Sequence, residues 1–223
     1  MPLETDPDVE MGQLPALHVA RVAYKIPVAT DLVKAPWRDL ASIALVPSHG
    51  GTPDIGFRAT AVRAAHDGEH LHLIFHCAGG APVATQRGRN RPIYDVDDVV
   101  EAFLAPSGDP HRYFELESTA ADAWFEAAIE SPDGRRATMQ VDREWVCAGW
   151  QRAVRVDAEG WCVAWALPFA SLGVASPMPG ARWRANFFRI DRHAGGHFSA
   201  WSPTFTAPPD FHLPNRFGIL HFR

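Results

Sequence analysis

The stretch His70-Leu71-His72-Leu73-Ile74-Phe75-His76-Cys77 carries the fold in miniature. Leu71, Leu73 and Phe75 fall on one side of an extended chain, and His70, His72 and His76 on the other. That is the period-2 pattern of a half-buried strand. The turn residues His66-Asp67-Gly68-Glu69 introduce it. Three histidines on one side of a strand raise the question of a metal. His70 and His72 sit together, however, while His76 lies four residues beyond His72, and polar positions facing solvent are the simpler reading.

The same rhythm extends outward along the chain. Asp98–Leu104 (DVVEAFL), the turn-rich segment Ala105–Pro110 and Tyr113–Glu117 (YFELE) read as a hairpin with a long loop. In Trp161–Leu167 (WCVAWAL), Trp161, Val163, Trp165 and Leu167 share one face, as the core of a sandwich requires. Arg182–Asp191 (RWRANFFRID) places Trp183, Ala185 and Phe187 together, and Arg216–Phe222 (RFGILHF) forms a terminal strand. Ala120–Glu130 (AADAWFEAAIE) suits a short helix or a strand, and its alternation favours the strand. Ala170–Gly173 after Pro168 suits a single helical turn. The 17 glycines and 19 prolines punctuate short runs throughout and gather in no linker. These features predict an all-β chain. It is a single-domain antiparallel β-sandwich, immunoglobulin-like or jelly-roll-like, of about ten strands with minor helical turns. The domain spans residues 15–223 and follows an N-terminal extension over residues 1–14.

Composition narrows the function classes. The 223 residues are 47% hydrophobic and 21% charged, ordinary values for a globular domain. A formal net charge of −5 speaks against nucleic acid, since phosphate tracking needs a basic surface. Arg87, Arg89 and Arg91 read as a solvated loop. Cys77, Cys147 and Cys162 lack metal-site spacing and are odd in number, so small buried hydrophobes are the expected role. The acidic start MPLETDPDVEMGQLPALHV has no apolar signal core, and no run reaches the roughly 18 apolar residues that span a membrane. The expectation is a soluble protein, cytoplasmic as written, with export left open and no membrane partner.

Three segments in order carry a family resemblance. They are Tyr94–Leu104 (YDVDDVVEAFL); Gly160–Trp161 through Trp165 to Leu167-Pro168-Phe169, then Pro179-Gly180 and Trp183–Asn186; and Ala200-Trp201-Ser202-Pro203 with Asp210–Gly218 (DFHLPNRFG). Together they resemble the family 9 carbohydrate-binding modules over roughly residues 15–223. Each motif is short; their order and spacing along the chain make the joint signal specific. The resemblance implies a β-sandwich of the DOMON-like kind, found beside xylanases and related enzymes. It implies a slot between two aromatic rings that holds sugar, and structural calcium. Tyr94 stands near the family's first slot aromatic, Phe211 at the second, and Glu101 at the acidic hydrogen-bonding position. The family's sugar-binding arginine has no counterpart, because Tyr113–Glu117 occupies its strand. Its asparagine before the second aromatic is replaced by Pro208 and Pro209. Both departures tell against the usual xylan or cellulose specificity.

A sugar ring presents an apolar face of C–H groups and a rim of hydroxyls, so its site needs aromatic planes and a few convergent polar groups. The candidate ligand-binding set is Tyr94, Asp98, Glu101, Glu115, Asn186, Arg189, Phe211 and His212, with a mono-, oligo- or polysaccharide as partner. Tyr94 suits exposure in a polar loop or folding over the sandwich end, and Phe211 suits a slot or a core position equally. Trp161, Trp165 and Trp183 belong to the core by their alternation, and Trp145 and Trp150 suit the border of a groove. Calcium has one oxygen-rich loop to use, Asp95-Val96-Asp97-Asp98, although hard cations want six to eight oxygens. Two other readings stay open: a glycoside hydrolase using Glu101 with Glu115 or Glu117, and a haem- or metal-binding sandwich drawing on the 11 histidines.

Overall fold

The computed structural model describes residues 14–32 and 34–223. Of the extension expected over residues 1–14, all but Leu14 lies outside the described residues. Among the described residues the fourteen strands are β1 (Ala16–Arg21), β2 (Ile43–Ala44), β3 (Val46–Pro47), β4 (Thr60–His66), β5 (His70–Ala78), β6 (Val99–Ala105), β7 (Arg112–Thr119), β8 (Trp124–Glu130), β9 (Gln140–Asp142), β10 (Gln151–Asp157), β11 (Gly160–Pro168), β12 (Arg182–Asp191), β13 (His197–Ala200) and β14 (Gly218–Phe222). An α-helical turn, α1, spans Ile93–Val96, and a 3-10 turn at Phe169–Leu172 stands where the single helical turn was expected. The expected all-β single domain is what forms. Trp124–Glu130 is a strand, as its alternation indicated.

The strands make one mixed sheet that curls over on itself, eleven of them in the order β10-β11-β5-β4-β1-β14-β12-β6-β7-β8-β9, with β2 beside β4, β13 beside β12 and β3 beside β13. The fold-over happens at β1. Ala16–Val19 pair with Ile219–Phe222 of β14, and Ala20 and Arg21 pair with Ala65 and His66 of β4, so one short strand belongs to both layers. Both of these pairings are parallel, whereas every other strand pair is antiparallel. Alternation encodes which face a side chain takes but not the direction of the neighbouring strand. An antiparallel sandwich was therefore the natural expectation from sequence.

Inward faces of both layers meet in the main core. Leu71, Leu73 and Phe75 of β5 and Val163, Trp165 and Leu167 of β11 pack against Val100, Ala102 and Leu104 of β6 and Trp183, Ala185 and Phe187 of β12. The outer face of each layer is also covered. Trp37 and Ile26, in the segment between β1 and β2, lie on Ala65, Ile74, Cys162 and Ala164. On the other layer the segment between β13 and β14 brings Phe211 and Phe217 onto Phe103, Phe188 and Ile190.

That first cover corrects the reading of the histidines. His72 is buried and bonded through Nε2 to Asp67 at 2.9 Å, not turned to solvent; His70 and His76 stay half-exposed. Burial lowers the pKa of His72, so its hydrogen bond to Asp67 does not require a charged ring. Trp150 packs edge-on against Trp165, and Trp145 stacks on Phe114. Arg89 leaves the expected solvated loop to bond Glu126 at 2.6 Å. All three cysteines are buried free thiols, and burial pushes them up to about 11 for Cys77 and about 12 for Cys147 and Cys162. No helix among the described residues is long and apolar enough to cross a membrane.

Candidate functional site

The site lies on the outer face of the β12-β6-β7-β8 layer, and strand alternation builds its floor. Glu101 of β6 points to the same side as Val99 and Phe103; Glu115 and Glu117 of β7 point there with Tyr113. Glu101 is directly opposite Glu117 in the ladder, and Glu115 is one step along, opposite Phe103. All three carboxyls are buried, and each has an oxygen within 4.8 Å of the other two. Glu101 Oε1 and Glu117 Oε2 have no hydrogen-bond partner.

Two ionised carboxylates at that separation repel by roughly 3–4 kcal/mol at an effective dielectric constant of about 20. Burial pushes the carboxyl of Glu101 well above the usual range, and Glu115 beside it pushes the same way. Burial does the same to Glu117, reinforced by Glu101 and Glu115. Burial therefore favours protons on Glu101 and Glu117.

Aromatic side chains from four different elements wall the cavity above this floor, whose volume is about 260 Å³. Tyr94 comes from α1, Phe125 from β8, Phe198 from β13 and Phe211 from the closing segment. Tyr94 meets Phe125 edge-on at 5.7 Å and stays half-buried, with its hydroxyl 3.5 Å from an Arg143 nitrogen. Arg192 holds it from behind by donating to the Tyr94 backbone carbonyl. Phe211 stacks on Phe188 with centroids 4.1 Å apart and planes 12° from parallel. It is thus packed in the core and also lines the cavity.

The rim is basic. Arg136, just after β8, grips Asp210 through contacts of 2.9–3.3 Å, and Arg143, just after β9, lies over the Phe125 ring at 5.4 Å. Burial opposes ionisation of Asp210, but its hydrogen bonds from Arg136 and the His212 N–H outweigh that and hold its pKa low. Next to it His212 is nearly enclosed. Its Nδ1 shares a 2.8 Å hydrogen bond with the Tyr113 hydroxyl, and its Nε2 faces Glu115 at 3.6 Å. Burial lowers its pKa despite Glu115, so the ring is neutral at neutral pH.

Five of the eight residues proposed from sequence converge here: Tyr94, Glu101, Glu115, Phe211 and His212 line the cavity, and Glu117 joins them. The other three hold the framework. Asn186 is buried and exchanges two hydrogen bonds with the Ser202 backbone, which pins the closing segment that delivers Phe211. Asp98 accepts backbone N–H bonds from Val83 and Arg192 at 3.0 and 2.6 Å. Arg189 turns into the sandwich and bonds Thr60 and the Ala78 carbonyl of the opposite layer beside Asp191. Arg136 and Arg143 were not legible as site residues. They flank the exposed three-residue strand β9, where only the third dimension brings them over the hairpin.

The aspartate loop fits calcium poorly. Asp97 Oδ1 accepts from Thr85 N and Oγ1 and Oδ2 from Gln86 N, and both Asp98 oxygens accept the backbone bonds above, so these carboxylates already clamp the loop over residues 83–86. Two groups among the described residues gather three possible ligands each: the glutamate floor, and Asp67 with His70 and His72 in the turn before β5 and at its start.

No curated protein matches the chain. Among solved structures, a Bacteroides uniformis protein provisionally described as carbohydrate-binding is similar, with a TM-score of 0.75 at 21% identity, covering 94% of this chain and 100% of that one. A family 9 carbohydrate-binding module from Caldicellulosiruptor kristjanssonii is also similar, at 13% identity. In complex with cellotriose its TM-score is 0.63, with 94% of each chain covered; with glucose it is 0.64, covering 94% of this chain and 96% of that one. These likenesses establish the fold. The family model of carbohydrate-binding family 9 matches residues 25–222, and the chain belongs to that family.

Proposed function

We propose that the domain binds a saccharide without cleaving it, holding one sugar unit in the cavity between Tyr94 and Phe211. The observation that carries this reading is the pairing of aromatic walls with a buried carboxylate floor and a guanidinium rim in one cavity. Aromatic planes suit the C–H face of a pyranose, and carboxylates and guanidinium groups suit its hydroxyls. The Caldicellulosiruptor family member, crystallised with glucose and with cellotriose, supports the same class of ligand. Such a domain would serve glycan breakdown by bringing a partner enzyme to its polymer.

The hydrolase reading draws less support. A glycosidase sets its two carboxyls on either side of the scissile bond. Glu101 and Glu117 instead stand side by side on neighbouring strands of one floor. A haem reading needs an open histidine, and His212, which lines the cavity, already meets Tyr113 and Glu115 with its two nitrogens.

Calorimetry against a panel of mono- and oligosaccharides tests the proposal. Saturable binding with a dissociation constant between about millimolar and micromolar is expected, weakened about fivefold in Tyr94→Ala with the melting temperature preserved. Absence of binding across the panel, or turnover of an aryl glycoside abolished by Glu101→Gln, would overturn it.

A further inference from the structure

The floor of the cavity gathers more acidic groups than a neutral sugar can answer. Glu101 and Glu117 are 3% and 1% exposed, and each keeps one oxygen with no partner. Glu115 completes a triangle of oxygens no more than 4.8 Å on a side. A hydroxyl can donate to one of these oxygens but leaves the mutual repulsion in place. A primary ammonium group brings three N–H donors and one positive charge, which matches three convergent acceptors of like charge.

We propose that the cavity is built for a sugar carrying a protonated primary amine, an amino sugar of the glucosamine type, with the ammonium on Glu101, Glu115 and Glu117. This rests on the sugar-binding reading above and names the class of sugar. Tyr94 and Phe211 then face the ring, and the ring hydroxyls extend to Arg136 and Arg143 at the rim.

A bare divalent cation is a poorer match for the same triangle. Calcium wants six to eight oxygens, and the walls beside the carboxylates are Phe125, Ile190, Phe198 and Phe211, which offer none. The rim guanidinium groups also oppose a double positive charge more than a single one. Ionised carboxylates bind an ammonium group, so ligand entry drives protons from Glu101 and Glu117, whose burial otherwise favours the protonated acids.

Calorimetry with glucosamine, N-acetylglucosamine and glucose near neutral pH tests the proposal on the intact chain. Glucosamine is expected to bind about tenfold or more tighter than either of the others, a difference of about 1.4 kcal/mol. Repeating the titration in buffers of different ionisation enthalpy should reveal proton release with glucosamine only. Glu117→Gln is expected to narrow the preference to about threefold or less. If that variant does not fold, the comparison among the three sugars and the proton count decide the matter with the unmodified chain. Glucose bound as tightly as glucosamine, both weakened in Tyr94→Ala, would overturn the amine assignment and leave sugar binding standing. A calcium requirement for sugar binding that Glu117→Gln removes would overturn it in favour of a metal floor. Failure of all three sugars, with no other saccharide bound, removes both readings.

Discussion

Glu101 and Glu117 face each other across the β6–β7 ladder, both buried, with one oxygen of each unpartnered. Like charges in that cross-strand position destabilise a sheet. The arrangement costs the free protein stability in return for a site that a cation-bearing ligand completes.

A pH dependence follows from this pair. Both carboxyls are raised in the fold, so the folded chain holds protons that the unfolded chain releases near pH 4.3. Their contribution is present below that pH and is lost as pH rises through the folded values. Asp67 and Asp210 act in the opposite sense. Burial opposes their ionisation, but bonds from His72 and the Glu69 and His70 N–H groups to Asp67, and from Arg136 to Asp210, hold both low. Their contribution is lost as pH falls. Thermal melts should therefore show a stability maximum on the acid side of neutrality. Glu117→Gln should flatten the alkaline limb and raise the melting temperature near neutral pH, by roughly 2–4 °C for each 1 kcal/mol gained. An unchanged slope in the variant would refute the like-charge account.

The two aromatic walls should respond differently to substitution. Tyr94 is half-buried and edge-on to Phe125, so Tyr94→Ala should cost little stability and weaken saccharide binding by about 1 kcal/mol, roughly fivefold. Phe211 is stacked on Phe188, and truncation to alanine is expected to remove about 3–5 kcal/mol of stability. Phe211→Leu keeps most of the volume and loses the planar face. It should therefore bind sugar weakly in a folded protein, as denaturation and calorimetry on the same sample will show.

His212 and Tyr113 form a buried hydrogen-bonded pair under the rim. Tyr113→Phe leaves His212 Nδ1 without its partner, at a cost of about 1–3 kcal/mol. Because burial lowers His212, the unfolded chain takes up a proton near pH 6.5 that the folded chain refuses, and stability should fall as pH drops below that value. Imidazole NMR shifts should show His212 neutral at pH 6.5 in the folded protein; a protonated ring there would contradict this account.

Much of this was legible from local pattern. Alternation assigned Leu71, Leu73 and Phe75 to the core, paired Asp98–Leu104 with Tyr113–Glu117, and brought Glu101, Glu115 and Glu117 to one hairpin. Long-range geometry was not legible. Ala16–Arg21 has only Leu17 and Val19 as buried positions, and nothing in it announces a parallel partner at the other end of the chain. His72 is polar in an alternating strand yet buried, on a face whose apolar residues Ala65 and Ile74 are covered by Trp37 and Ile26 from a segment with almost no regular structure. Arg189 and Asn186 share β12 but take opposite faces. One ties the layers and the other the closing segment, and neither reaches the cavity. Arg136 and Arg143 reach the rim from segments flanking a short exposed strand, where sequence carries no periodicity to read.

The two layers are also joined through their core by one hydrogen bond, from the indole N–H of Trp165 on β11 to Ser118 Oγ on β7, at 2.9 Å. Both side chains are fully buried, so no water can replace either partner. Ser118→Ala removes one oxygen yet leaves the indole N–H without an acceptor, and should cost about 1–3 kcal/mol. Trp165→Phe removes the donor, leaves a cavity between Phe75 and Trp150, and should cost about as much or more. Once the indole is gone, the serine hydroxyl has nothing left to satisfy across the core. The double variant should therefore be destabilised by less than the sum of the single effects, by about 1 kcal/mol or more. Urea denaturation of the four proteins measures that difference directly. Strict additivity would mean that this bond contributes nothing to the registration of the layers.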